Sequence, residues 1–110
     1  MNAVLEKLPA LMAEELKAAN KENPPFHSMH EGWAVLKEEV EETSEACKRM
    51  AGTLEYIWGD IRKNNPPEAL ITTNLRDWAY QTAAEAIQVA AMAQKLLNGI
   101  EKGFKGGGKK

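Results

Sequence analysis

Two pairs of consecutive prolines divide the chain into three stretches, and this constrains its fold more than any other feature. Pro24-Pro25 and Pro66-Pro67 each follow asparagine. A helix cannot continue through such a pair, because proline lacks a backbone N–H and restricts the residue before it. Each stretch repeats apolar residues every three or four positions, and none alternates with a period of two. The sequence therefore predicts three helices and no strands.

One predicted helix is short and two are long. The first covers VLEKLPALMAEELKAAN, where Pro9 either kinks the helix or marks its first turn. The second begins near His30, with Ser28 as its N-cap, and runs to about residue 64 with a potential weak point at Gly52. The third is rich in alanine and extends from about Thr73 to Ile100. We interpret residues 104–110 as a flexible tail, the alternative being a nucleic-acid or phosphate contact through its two terminal lysines.

The length and the broad apolar faces predict an all-α helical bundle with long antiparallel helices. A chain of 110 residues with 44% hydrophobic content corresponds to one domain, which we place at residues 1–103. Three helices usually need a partner chain to complete a four-helix core. We therefore expect a homodimer or a tetramer.

Composition argues against two classes of partner. The formal net charge is −2, so the chain lacks the basic field that suits nucleic-acid binding. No apolar run approaches the roughly 20 residues that a membrane span needs, and no signal-peptide pattern begins the sequence. We interpret the protein as cytoplasmic, with the single cysteine, Cys47, as a reduced thiol in the core.

Both long helices carry an acidic residue inside their apolar face. On a helical wheel, the apolar face of the second helix centres at about 130°, with Glu39 at about 100° and Glu42 at about 40°. In the third helix, Glu85 lies almost in line with Trp78 and Met92. A buried carboxylate requires a basic partner, protonation or a cation, and no basic residue shares either face.

A metal ion is consistent with this pattern. Residues three apart project to one side of a helix, so Glu39 with Glu42, and Glu85 with Gln88, form two pairs of oxygen donors. Hard oxygen ligands favour Mg²⁺ or Mn²⁺ over zinc. The alternative is that the acidic segment is a solvated face and that Glu85 is an edge residue.

The motifs resemble those of a known family. EEVEE at 38–42, followed by EAIQVAAMA at 85–93, is similar to the EExxE and ExxD signature of MazG-like all-α nucleoside triphosphate pyrophosphohydrolases. The wider similarity covers roughly residues 26–100 and is to the bacterial and phage branch. Such enzymes use Mg²⁺ to cleave between the α and β phosphates, which gives a monophosphate and pyrophosphate.

The resemblance assigns roles to individual residues. It implies catalytic roles for Glu38, Glu39, Glu42 and Glu85, of which the last three would be metal ligands, with Glu38 as the remaining motif glutamate. Gln88 stands where the signature has aspartate. Its amide oxygen can still coordinate, but the site loses one formal negative charge.

Four further residues are candidates for binding a nucleotide. Trp33 can stack on a base or belong to the core or a dimer interface, and His30 can cap the helix or contact the nucleotide. Lys37 and Arg76 can hold phosphates or be ordinary solvated side chains. Mg²⁺-dependent pyrophosphohydrolysis is therefore the expected function. The alternative is a non-catalytic helical oligomer of the same fold that binds a nucleotide or a protein partner.

Overall fold

The structure, a computed structural model, describes residues 3–104, and these are almost entirely helical. A short 3₁₀ helix at Leu5–Lys7 leads directly into α1, Leu8–Glu22. Two helices of 34 residues follow, α2 at Met29–Arg62 and α3 at Ala69–Lys102. Within residues 3–104 there is no strand, so the predicted all-α class is confirmed. In the same range, no helix is long and apolar enough to cross a membrane.

The local sequence explains where α1 and α2 begin. Pro9 lies in the first turn of α1, where its missing N–H needs no partner. Ser28 caps α2 as predicted, since its Oγ accepts a hydrogen bond from the Glu31 N–H at 3.1 Å. The Glu31 carboxylate in turn accepts the His27 N–H. This reciprocal arrangement satisfies one open donor of the first helical turn and the N–H of the residue before the cap.

Helix α2 continues through Gly52 without a break and stops at an asparagine in a left-handed conformation. Asn64 has φ 63°, and the Asn65 N–H bonds to the Asp60 carbonyl at 2.9 Å, which is typical of a helix C-terminus. Helix α3 begins at Ala69, one turn before the predicted start. The Thr72 N–H and hydroxyl both donate to the Glu68 carbonyl, which anchors that additional turn.

The end of α3 corrects one expectation about the tail. Gly103 has φ 72°, and its N–H bonds to the Ile100 carbonyl at 3.1 Å, so the chain turns back on the helix. Phe104 is consequently buried against Gly99, where an added Cβ would lie 2.6 Å from its ring. Phe104 is therefore packed rather than flexible, while residues 105–110 of the predicted tail lie outside the described residues.

Contacts divide the predicted single domain into two compact units. Among the described residues, the terminal unit comprises those up to 40 and those from 86 onward, and the hairpin unit comprises residues 41–85. In the terminal unit, Ala91 and Met92 are buried, and Gly32 lies so close to Leu96 that an added Cβ would be 2.5 Å from that side chain. Lys95 is also buried there, with its Nζ 4.8 Å from the Phe26 ring centroid. These contacts join α2, α3 and the segment between α1 and α2.

The hairpin unit contains the second half of α2, the connecting loop and the first half of α3. Ala46 is its buried residue, and the Arg49 guanidinium lies 5.2 Å from the centre of the Trp78 ring. Glu42 and Glu85 approach each other farther from the loop. Arg49 thus lies beside Trp78, and Glu42 lies beside Glu85. As the chain advances along one helical segment it runs back along the other, as in a helical hairpin.

Many large apolar side chains remain exposed on the single chain. Among residues 3–104, fourteen of them are at least two-fifths exposed: Val4, Leu5, Leu11, Met29, Trp33, Val40, Leu54, Tyr56, Trp58, Ile61, Leu70, Tyr80, Leu97 and Ile100. Cys47 is exposed too, so the expectation of a core thiol is wrong for the single chain. A helical wheel gives the direction of a side chain but does not say what covers it.

Candidate metal centre

Three carboxylates meet at the candidate site. Glu39, Glu42 and Glu85 each offer one oxygen, and these atoms lie within 4.8 Å of one another. Glu39 and Glu42 are one turn apart on an uninterrupted helix, so their side chains project to the same side. Glu42 and Glu85 both belong to the hairpin unit. The structure thus brings together the three acidic residues that the sequence motifs singled out.

Burial distinguishes the three residues as the helical wheel predicted. Glu39 and Glu85 are partly buried, whereas Glu42 is exposed. The Oε1 atoms of Glu39 and Glu85 are both shielded from solvent. Glu85 Oε2 accepts a hydrogen bond from Gln81 Nε2 at 2.8 Å, but Glu85 Oε1 accepts none from any described residue. A shielded carboxylate oxygen without a donor is unfavourable, and a cation is one way to satisfy it.

The chemistry of the donors fits a hard divalent cation. All three side chains supply carboxylate oxygens, and neither histidine nor cysteine contributes to the cluster. Mg²⁺ commonly takes one or more carboxylates and fills its other positions with water or phosphate oxygens. Three carboxylates in such close proximity also repel one another, so a divalent charge would relieve their repulsion. The residues present could therefore hold a hard divalent cation.

The remaining two motif residues lie in different surroundings. Glu38 is exposed and does not belong to the cluster, so its catalytic role stays a prediction. Gln88 is partly buried, and its Nε2 donates to Glu15 Oε2 of α1 at 3.4 Å. No sequence pattern singles out Glu15, because its contact with Gln88 joins positions 73 residues apart. Coordination by the Gln88 oxygen also stays a prediction.

The predicted nucleotide-binding residues are distributed over both units. In the terminal unit, Trp33 is 62% exposed and the Lys37 Nζ lies 5.9 Å from its ring, while His30 is exposed in the first turn of α2. In the hairpin unit, Arg76 forms an ion pair with Asp77 at 3.2 Å and lies 5.7 Å from the Tyr80 ring. Their roles in substrate binding stay predictions.

An open cavity in the hairpin unit is lined by two residues that the sequence did not identify as candidates for the site. Its volume is about 470 Å³, and the described residues that line it are Glu42, Glu45, Ala46, Arg49, Trp78, Gln81 and Glu85. Two of the three clustered carboxylates thus border the same space as an arginine and a tryptophan. Spacing could have identified both, because Arg49 follows Glu42 by seven positions and Trp78 precedes Glu85 by seven. Seven residues make nearly two helical turns and return to the same side.

No protein-family model matches this sequence, and no curated protein or solved structure matches it. The likeness to a family therefore depends on the two acidic motifs and the residues around them.

Proposed function

We propose that this chain is a cytoplasmic, Mg²⁺-dependent nucleotide pyrophosphohydrolase that converts a nucleoside or deoxynucleoside triphosphate to its monophosphate and pyrophosphate. The observation that carries the proposal is the approach of Glu39, Glu42 and Glu85 to within 4.8 Å. The shielded Oε1 of Glu85, which accepts no hydrogen bond from the described residues, supports it. The order of the two acidic motifs, EEVEE and then EAIQ, adds the link to pyrophosphohydrolase chemistry.

Each residue has a defined task in this reaction. Glu39, Glu42 and Glu85, with the oxygen of Gln88, would hold Mg²⁺, which when bound neutralises charge on the phosphate oxygens. Gln81 orients Glu85 through its hydrogen bond to Oε2. Water attacks the α phosphorus, the bond from that phosphorus to the bridging oxygen breaks, and pyrophosphate leaves. Glu38, the remaining motif glutamate, would accept the proton of the attacking water.

A second copy of the chain is part of the proposal. The described part of the chain exposes fourteen large apolar side chains, and extensive exposed apolar surface favours association with another protein surface. Association as a homodimer or tetramer would cover part of this surface and complete a four-helix core with long antiparallel helices. Light scattering coupled to size exclusion measures this directly. A monomer at micromolar concentration would contradict the proposed assembly.

Product analysis tests the activity. The protein is incubated with a panel of canonical and modified nucleoside triphosphates in the presence of Mg²⁺ or Mn²⁺, and the products are separated by anion exchange. We expect equal amounts of monophosphate and pyrophosphate from at least one substrate, and a loss of both products in Glu85→Gln. The matched control is Glu55→Gln, which removes an exposed carboxylate from α2 outside the cluster. Absence of turnover across the panel would refute the proposal.

One observation favours a second candidate, a non-catalytic oligomer that binds a nucleotide or a protein partner. Gln88 replaces the signature aspartate, and its amide nitrogen is engaged by Glu15. A site with one charge fewer binds its cation less tightly. Calorimetry with a non-hydrolysable triphosphate analogue separates the candidates, because this alternative predicts binding without any turnover of the natural nucleotides.

A further inference from the structure

The cavity of the hairpin unit combines two kinds of chemistry. One end holds Glu42 and Glu85, and the other holds Arg49 and Trp78. We propose that Arg49 binds a phosphate group of the substrate and that Trp78 is the residue that positions it. The proposal rests on the nucleotide pyrophosphohydrolase function proposed above and extends it to a second pair of residues.

The contacts of Arg49 orient its guanidinium plane. The Arg49 Cζ lies 5.2 Å from the centre of the Trp78 ring, and the Arg49 Nε lies 3.6 Å from Glu45 Oε2. Stacking on an aromatic ring restrains a guanidinium while its N–H groups keep their hydrogen-bonding capacity. The geometry therefore prepares Arg49 to donate to an anion that enters the cavity.

The ion pair with Glu45 does not prevent this role. Both side chains are more than half exposed, at 57% and 60%, and exposed ion pairs contribute little to stability. A phosphate offers two oxygens that match the fork of a guanidinium, and such bidentate, charge-assisted hydrogen bonds are the stronger kind. An entering phosphate can therefore replace or share the contact with Glu45.

The spacing also suits an extended polyphosphate. Arg49 is seven residues from Glu42 on α2, which corresponds to about 10.5 Å along the helix axis on the same side. Trp78 and Glu85 have the same separation on α3. Neighbouring phosphates of a nucleotide are much closer together than this, so a triphosphate held at Glu42 and Glu85 that extends toward the loop of the hairpin would present its far end to the long side chain of Arg49.

Binding measurements on the full-length protein test the proposal. The variants are Arg49→Met, Arg49→Lys and Trp78→Leu, with Lys48→Met as a matched control that removes a neighbouring positive charge outside the cavity. The probes are Mn²⁺ alone, pyrophosphate with Mg²⁺, and an α,β-methylene deoxynucleoside triphosphate with Mg²⁺. A melting curve of each variant verifies that it is folded.

We expect Arg49→Met to weaken binding of both phosphate probes by about tenfold to a hundredfold, while Mn²⁺ affinity changes less than twofold. Arg49→Lys should recover part of the loss, since it restores the charge but not the planar fork. Trp78→Leu should weaken pyrophosphate binding by about threefold to tenfold, and it should have no additional effect in the Arg49→Met background. Lys48→Met should resemble wild type.

Four outcomes overturn the inference and are distinguishable. If wild type binds the probes and Arg49→Met binds them equally well, the role of Arg49 is refuted while the proposed function stands. If Trp78→Leu weakens the analogue but not pyrophosphate, the ring contacts the base rather than positioning Arg49. If wild type binds neither Mn²⁺ nor the phosphate probes, the proposed function fails together with this inference. Should Arg49→Met not fold, an unchanged pyrophosphate affinity in Arg49→Lys is the refuting result.

Discussion

Glu85→Gln is the substitution that most directly tests the proposed metal centre. It preserves the size of the side chain and an oxygen that can accept the Gln81 hydrogen bond. It removes one of three negative charges whose oxygens lie within 4.8 Å of one another. In EDTA we expect the variant to have a higher melting temperature than wild type, because the repulsion between carboxylates falls. Adding Mg²⁺ should raise the melting temperature of the variant much less than that of wild type, because one ligand is lost.

The size of the effect follows from the geometry. Two unit charges separated by about 4.8 Å repel by about 0.9 kcal/mol in water and by about 3.5 kcal/mol at an effective dielectric constant of about 20. Neutralising Glu85 removes two of the three pairs. Glu42 is exposed, and a weaker hydrogen bond from Gln81 offsets part of the gain, so the low end applies. A net stabilisation of about 1 kcal/mol would raise the melting temperature of a domain this size by about 4–8 °C.

Differential scanning calorimetry in EDTA and in increasing Mg²⁺ provides both readouts. For wild type, Mg²⁺ at about 100 times its dissociation constant should stabilise the fold by about 2.7 kcal/mol. Glu55→Gln controls for loss of an acidic side chain outside the cluster and should retain that response. An unaltered Mg²⁺ response in Glu85→Gln, or a lower melting temperature in EDTA, would refute the interpretation of Glu85 as a charged metal ligand.

Three further substitutions address the other residues. Glu39→Gln should abolish pyrophosphate release without lowering the melting temperature, because it removes an inward-facing charge and keeps the shape; activity near wild type in product analysis would exclude Glu39 as a ligand. Gln88→Asp removes the donor to Glu15, so it should lower the melting temperature in EDTA by the equivalent of about 1 kcal/mol. If position 88 is a metal ligand, the variant should reach half of its Mg²⁺-induced rise in melting temperature at a lower Mg²⁺ concentration than wild type; an unchanged concentration would remove position 88 from the site. Phe104→Ala should destabilise the fold by about 3 kcal/mol in urea denaturation. Gly99→Ala should destabilise wild type but not the Phe104→Ala variant, because the added Cβ would then have no ring to meet. Equal effects of Gly99→Ala in both backgrounds would contradict the packing of Phe104 on Gly99.

The parts of the fold that depend on neighbouring residues could be predicted from the sequence. Proline pairs end helices because proline lacks a backbone N–H. Ser28 caps α2 because its hydroxyl oxygen accepts a hydrogen bond from the backbone N–H three residues later. The inward position of Glu39 and the edge position of Glu42 follow from the fixed twist of a helix, since both residues belong to one turn. The helical wheel therefore sufficed for that half of the site.

The rest depends on pairings between distant segments. No local pattern sets the register that places Glu85 near Glu42 or Trp78 beside Arg49, because it results from packing along the whole hairpin. Phe104 was missed for a different reason: a single aromatic residue among glycines has no periodicity, and only the left-handed turn at Gly103 returns it to the helix. In both cases, contacts between residues that no local sequence pattern relates decide where a side chain lies.

The exposure of Cys47 has a practical consequence for spectroscopy. It is the only cysteine in the chain, and it follows Ala46, which lines the cavity of the hairpin unit. A maleimide fluorophore or a nitroxide therefore attaches at one defined place on α2 without any engineered mutation. With a nitroxide there, paramagnetic Mn²⁺ bound near Glu42 should broaden the label's resonance, which would report occupancy of the carboxylate cluster without any assay of the proposed activity.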